Sequence, residues 1–200
     1  MNPPEFHVLC VCTGNICRSP MAERLLRAGL AEIPGVIVDS AGTGAGNGMP
    51  MTEQAASLTR KYGGDPTGHA SRFLNERLAT KADMILGMSR EHRSRAVAFA
   101  PRQVRRSFTL REFAALSSPL DDEQVRELIA QDHPTDSVRD RLLAVTTALS
   151  GRRGVELLRT DPEELDIIDP YRQSDAVYQQ SADQLVPAVG EVIRVFRAVA

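Results

Sequence analysis

A short β-branched and apolar run, Phe6-His-Val-Leu-Cys-Val-Cys12, ends in Thr-Gly-Asn and gives way to an amphipathic stretch. The run reads as a buried strand entering a turn. Pro20 suits the first turn of a helix, and Met21, Ala22, Leu25, Leu26 and Leu30 recur on one face at helical spacing. This strand, loop, helix unit sets the pattern for the chain. Val36–Ser40 reads as a second strand and residues 52–62 as a helix. Asp83–Met88 reads as a third strand entering a helix over 90–98, and Ser107–Leu110 as a fourth strand. The alternation predicts an α/β fold, a three-layer α/β/α arrangement around a four-stranded parallel sheet, with ligands at the carboxyl ends of the strands.

Residues 117–165 break the rhythm. They give helices over about 121–131 and 136–149, separated by His133-Pro134, and then a polar stretch with Gly151, Gly154 and Pro162. We read a single domain over 1–200 carrying a helical insertion at 117–165. Its apolar positions Val125, Leu128, Leu142, Val145 and Leu149 could pack on the domain, cover a pocket or meet another chain. A last helix is expected over 174–198, from the spacing of Tyr178, Leu185, Val189, Val192 and Phe196, with Pro187 as a place for a kink or a split.

The formal charge of -2, from 24 basic and 26 acidic residues, offers no footprint for nucleic acid or an anionic membrane, so any anion site must be local. No stretch approaches the roughly 18 apolar residues of a membrane span. The three cysteines, 10, 12 and 17, sit too close together to staple a fold, which points to a reducing, cytoplasmic setting and a working thiol. Cys10 is expected in the sheet core. Gly42-Thr-Gly-Ala-Gly-Asn-Gly48 has Asn47 where a dinucleotide fingerprint needs its third glycine, and it reads as a mobile loop.

Cys12-Thr-Gly-Asn-Ile-Cys-Arg18 places a thiol and a guanidinium at the two ends of a loop that opens a helix. Backbone amides of Thr13, Gly14, Asn15, Ile16 and Cys17 can converge on one anion there, helped by the helix N-terminus, with Arg18 offering a fork that matches two phosphate oxygens. Gly14 is expected to let the backbone curl. The same positive field favours the thiolate, the form that attacks phosphorus.

The segment Val11-Cys-Thr-Gly-Asn-Ile-Cys-Arg-Ser-Pro-Met-Ala-Glu23 resembles the signature loop of the low-molecular-weight protein tyrosine phosphatases, and the resemblance extends over about residues 6–116 and 166–197. It implies that family's fold and a two-step hydrolysis of phosphotyrosine through a phosphocysteine, with no metal and no cofactor. Asp166-Ile-Ile-Asp-Pro-Tyr171 resembles the family's acid loop and makes Asp169 the candidate general acid, with Tyr171 beside the substrate. A tyrosine phenolate, with a conjugate acid near 10, leaves poorly without one. Asp65-Pro66 and Asp161-Pro162 lack the Tyr and read as turn residues, and Asp166 as a solvated loop acid.

The resemblance further implies that Ser19 bonds the Cys12 sulfur, and that Asn15, Ser40 and His69 hold the loop in shape, although a lone histidine such as His69 could equally sit on the surface. Cys17 is either a partner that closes reversibly on Cys12 under peroxide or a passive thiol. Where many members carry an aromatic after the second strand and a second Tyr after Asp-Pro-Tyr, this chain has glycine and Arg172. Asp-Pro-Tyr-Arg-Gln-Ser174 also resembles bacterial members acting on tyrosine kinases of exopolysaccharide synthesis, so the partner implied is a tyrosine-phosphorylated protein of that kind.

Three other readings are weighed. A protein-arginine phosphatase typically has threonine in place of Ile16. An arsenate reductase needs relay cysteines beyond residue 17, and there are none. A phosphotyrosine-binding scaffold would not require Cys12, Arg18 and Asp169 together.

Overall fold

The computed structural model describes residues 4–130, 137–158 and 160–200. Four strands, β1 (Phe6–Cys12), β2 (Val36–Gly42), β3 (Met84–Gly87) and β4 (Ser107–Thr109), form one sheet in the order β2-β1-β3-β4. All pairings are parallel. The chain leaves β1 for β2 on one side and returns to β3 on the other, so the strand order reverses at β1. A crevice at the carboxyl end of that strand is where such sheets bind ligands, and Cys12, paired with Gly42, sits there.

Strand β1 is apolar almost throughout because both its faces are covered. Val8, Cys10 and Cys12 belong to one core, and Leu9 and Val11 to the other. This is the two-residue period of a strand. The second core is built largely from small side chains, Ala79, Ala82, Ala96 and Ala100, which let α3 (Glu76–Lys81) and α4 (Arg90–Phe99) lie close to the sheet. The first core takes α1 (Arg18–Gly29), α2 (Glu53–Lys61) and the long terminal helix. At its base Phe196 meets Phe6 and Phe113 edge-on, with ring centroids 5.5 and 6.5 Å apart.

The fourth strand is shorter than its sequence suggests. Thr109 caps a helix, α5 (Leu110–Ser117), through a reciprocal pair in which its hydroxyl accepts from the Glu112 N–H and the Glu112 carboxylate accepts from the Thr109 N–H. Helices α6 (Asp122–Ala130) and α7 (Val138–Gly151) follow, and His133-Pro134 lies outside the described residues. Val125, Leu142, Val145 and Leu149 are fully buried in the same core as the terminal helix. Arg139 donates to the Glu5 carbonyl at 2.9 Å and pairs with Asp83 at 2.6 Å, and Arg153, in the short α8 (Arg153–Glu156), donates to the Ser107 carbonyl at 2.6 Å. Those acceptors mark the amino ends of β1, β3 and β4, the edge of the sheet away from Cys12. The four apolar side chains Val125, Leu142, Val145 and Leu149 therefore pack on the domain.

A short 3₁₀ turn, Pro162–Leu165, returns the chain to the carboxyl edge, where the Thr109 hydroxyl donates to the Leu165 carbonyl and the Ile167 N–H to the Met88 carbonyl. The terminal helix α9 (Asp175–Val199) runs through Pro187 as one element. Its buried stripe, from Tyr178 through Leu185, Val189 and Val192 to Phe196, outweighs the one backbone bond that the proline removes. Among the described residues no helix is long and apolar enough to cross a membrane.

Candidate active site

The loop between β1 and α1 wraps the Cys12 sulfur. Ser19 Oγ lies 3.0 Å from Sγ and the Asn15 N–H donates to it at 3.2 Å, while the side chain is 2% exposed. The curl is made at Asn15, with φ of 52°, and not at Gly14 as the sequence suggested. Asn is among the few side chains that accept this left-handed backbone. Gly14 serves another purpose: a Cβ there would come within 3.3 Å of the Ile16 side chain.

Asn15 is held by complementary partners on each atom of its amide. Nδ2 donates to Ser19 Oγ at 3.0 Å and to Ser40 Oγ at 2.8 Å, and Oδ1 accepts from the Arg72 N–H at 3.0 Å. Ser40 in turn donates to the buried carboxylate of Glu23, which Arg27 neutralises at 2.9 Å. His69 Nε2 lies 2.7 Å from the Asn15 carbonyl oxygen, so the ring must carry its proton there. Burial pushes its pKa down, against the pull of that hydrogen bond, and the ring is a neutral donor at neutral pH. The structure therefore brings Ser19, Ser40, Asn15 and His69 together around one loop.

Arg18 is buried at the first position of α1. One terminal nitrogen donates to the Ile167 carbonyl at 3.0 Å, and the other pairs with Asp169 Oδ2 at 2.7 Å. Its buried Nε–H has no acceptor among the described residues, which leaves this donor open to an anion in the loop. Asp169 is half exposed, and its other oxygen accepts from the Tyr171 N–H at 3.1 Å. Tyr171 carries the Arg172 guanidinium 5.1 Å from its ring centre, in the place where a second aromatic was missing.

A pocket of about 310 Å³ joins these groups. Cys12, Arg18 and Asp169 line it together with Thr13, Gly14, Ile16, Cys17 and Tyr171. Gly44, Gly46 and Met49 add a wall from the glycine-rich segment. That segment is tied down at several points: Thr43 and Gly44 N–H groups donate to the Cys12 and Thr13 carbonyls at 2.9 and 3.0 Å, and Gly48 N–H to the Ser71 carbonyl at 2.8 Å. The segment is thus anchored by backbone bonds, and of its glycines it is Gly42 that is closely packed, whereas Gly46 and Gly48 have open space around them. A Cβ on Gly42 would collide with the Thr13 carbonyl and lie 2.9 Å from the Asn15 nitrogen.

Cys17 Sγ is 3.5 Å from the Thr52 hydroxyl and 3.6 Å from that of Tyr178, and burial pushes its thiol pKa up. Cys10 is buried in the core, as its place in β1 implied, and burial holds its thiol protonated. Asp166, expected as a solvated loop acid, is partly exposed but paired. It accepts the Arg90 N–H at 2.7 Å and pairs with the Arg90 guanidinium at 3.1 Å, which fixes the acid loop to the start of α4. Sequence reasoning also passed over Met49, Ile167, Glu23, Arg72 and His92. Glu23 alone carried a local signal, as a charge on the helix face that also holds Arg27. Among the described residues no group of three or more His, Cys, Asp and Glu side chains is placed to hold a metal ion.

The profile of the low molecular weight phosphotyrosine protein phosphatase family matches residues 7–127, and the chain belongs to that family. It is 46% identical over 94 residues to the low molecular weight protein-tyrosine-phosphatase Etp of Escherichia coli K12, a match covering 47% of this chain and 62% of Etp. It is 37% identical over 123 residues to the probable low molecular weight protein-tyrosine-phosphatase EpsP of Ralstonia solanacearum, covering 62% of this chain and 81% of that protein. The match thus spans less than two thirds of Etp. The YwlE arginine phosphatase from Geobacillus stearothermophilus superposes with a TM-score of 0.62 at 26% identity, over 94% of this chain and 90% of that one.

Proposed function

We propose that the chain is a cysteine-dependent phosphatase that hydrolyses protein phosphotyrosine through a phosphocysteine intermediate. The observation that carries the reading is the convergence of Cys12, Arg18 and Asp169 in one pocket, with the sulfur already receiving the Asn15 N–H and the guanidinium holding the carboxylate at 2.7 Å. In the proposed first step the Cys12 thiolate forms an S–P bond as the P–O ester bond breaks, and the Asp169 carboxylic acid passes its proton to the leaving tyrosyl oxygen. In the second, the Asp169 carboxylate takes a proton from water as its oxygen attacks phosphorus. The S–P bond breaks, returning the thiolate and releasing phosphate. Arg18 and the loop amides hold the equatorial oxygens throughout. A phosphoryl group that takes the Arg18 fork releases Asp169 from its ion pair, so that its carboxylic acid form can face the leaving oxygen.

Met49 and Tyr171, both exposed at the pocket rim, supply apolar surface for a phenyl ring where glycine has replaced the expected aromatic. Ile16 lines the same pocket and opposes phosphoarginine, which favours a smaller, polar residue there. The proposed partner is a tyrosine-phosphorylated protein, in particular a bacterial tyrosine kinase of exopolysaccharide synthesis. The Asp169–Ser174 segment and the likeness to Etp and EpsP support that choice. Three free thiols support a cytoplasmic location. The helical segment 117–165 is proposed to be an insertion that buttresses the sheet at the edge away from the pocket.

Comparing two esters tests the reading. Asp169→Asn should slow phosphotyrosine hydrolysis by about 10²–10⁴, the usual worth of a general acid, and slow a substrate with an acidic leaving group far less. Cys12→Ser should abolish both. Equal slowing of both substrates by Asp169→Asn would remove Asp169 as the acid, and turnover by Cys12→Ser would remove the nucleophile.

A further inference from the structure

Thr13 stands at the pocket, and its hydroxyl is 2.9 Å from Nε2 of His92, a buried side chain that the reaction above does not use. The other ring nitrogen, Nδ1, is 2.7 Å from Ser89 Oγ. Ser89 caps α4, and its oxygen also accepts the His92 backbone N–H at 3.4 Å.

The directions of these bonds follow from counting protons. A neutral imidazole carries one N–H and one bare nitrogen. His92 is kept neutral, since burial and then the charge of Arg18 push its pKa down to about 4, while Asp169 and Asp166 pull the other way. With the Ser89 oxygen receiving the His92 amide, the Ser89 proton finds its acceptor in Nδ1. The ring proton is then on Nε2 and points at Thr13 Oγ1. That leaves the Thr13 proton directed away from the ring, on a residue that is itself exposed and lines the pocket. The reverse arrangement would leave the proton of the half-buried Ser89 with no acceptor among the described residues, the costlier of the two outcomes.

We propose that His92 is a positioning residue of the anion site: Ser89 and His92 turn the Thr13 hydroxyl proton into the pocket, where it donates to a bound phosphoryl oxygen beside Arg18 and the loop amides. Thr13 touches the ligand and His92 acts through it. The inference rests on the phosphatase reading of the pocket and adds to it a side-chain donor.

Two measurements test it. Nitrogen-15 NMR of the wild-type chain at neutral pH should show the His92 proton on Nε2 and a bare Nδ1, and a proton on Nδ1 overturns the proposal. The affinity for inorganic phosphate, by calorimetry, gives the second readout. Loss of a hydrogen bond to a charged oxygen should weaken binding about tenfold in Thr13→Val. His92→Leu should show part of that loss, and the double variant should bind no more weakly than Thr13→Val, because one interaction is being removed twice. Thr13→Ser, which keeps the hydroxyl, and His92→Gln, which can hold an N–H near the place of Nε2, should recover most of the affinity. Multiplying losses in the double variant, or wild-type affinity in Thr13→Val, overturns the proposal. Where His92→Leu fails to fold, the tautomer and the Thr13→Val and Thr13→Ser pair decide. Neither readout needs turnover, so a chain that binds phosphate in this way but hydrolyses nothing would sink the proposed reaction alone. Hydrolysis by a chain whose losses multiply would sink this inference alone.

Discussion

Acidification should weaken the fold through one identifiable side chain. The His92 pKa is pushed down to about 4 from an ordinary value of 6.5, by burial and then by the nearby Arg18 charge. Above pH 6.5 the ring is neutral whether the chain is folded or unfolded, and it contributes nothing to the pH dependence. Between 6.5 and about 4 the unfolded chain binds a proton there that the folded chain refuses, so stability falls as the pH falls. The slope for one group is about 1.4 kcal/mol per pH unit, and the whole window is worth about 3 kcal/mol, fully lost once the pH reaches about 4. Urea unfolding of the wild type and of His92→Gln at pH 7 and pH 4.5 isolates this contribution. Any baseline cost of the substitution cancels in the difference between the two pH values. His69, whose pKa burial also lowers, and the carboxylates titrate in both proteins and cancel as well. The wild type should lose roughly 2–3 kcal/mol more than the variant over that interval. Equal losses would show that His92 is not held neutral, and the reasoning about its surroundings would fail.

Other substitutions report on other parts of the structure. Gly42→Ala places a Cβ against the Thr13 carbonyl and the Asn15 nitrogen, backbone atoms that cannot swing aside. It should cost about 1–3 kcal/mol in urea unfolding and weaken phosphate binding as well, and a neutral effect on both would contradict the close approach of the two loops. Phe196→Ala removes the ring that Phe6 and Phe113 meet edge-on and should cost about 3–5 kcal/mol in the same assay. Cys12 and Cys17 line one pocket. Peroxide treatment of the wild type should therefore cause inactivation that a dithiol reverses, because Cys17 can condense with a Cys12 sulfenic acid, whereas Cys17→Ser should be inactivated permanently. Equal recovery of the two would make Cys17 a passive thiol.

The parts of the site legible in the sequence are those written locally. The β1 run, the Cys12–Arg18 loop and the α1 face lie within about 25 consecutive residues, and period and turn chemistry read them directly. Asp169 is 151 residues from Arg18, and only a resemblance joined the two before the fold placed them 2.7 Å apart. Helix α5 was signalled by Thr109-Leu-Arg-Glu112, a capping-box spacing, but the apolar run across Ser107–Leu110 hid the boundary. The six-residue α3 is too short to show a period, although Asn75 caps it. Asp166, Met49 and His92 could not be read locally at all. Asp166 meets Arg90 across 76 residues and His92 meets Thr13 across 79, so each role exists only once the sheet has brought the strand ends together.

The central claim is that Cys12 carries the phosphoryl group between substrate and water. The most direct measurement is mass spectrometry of the chain quenched in acid during turnover of an aryl phosphate with an acidic leaving group, which forms the adduct without a proton from Asp169, using Asp169→Asn to slow its release by water. The account predicts a phosphoryl adduct on the peptide bearing Cys12, absent in Cys12→Ser. Continued turnover with no adduct, or with the adduct on another residue, would contradict it.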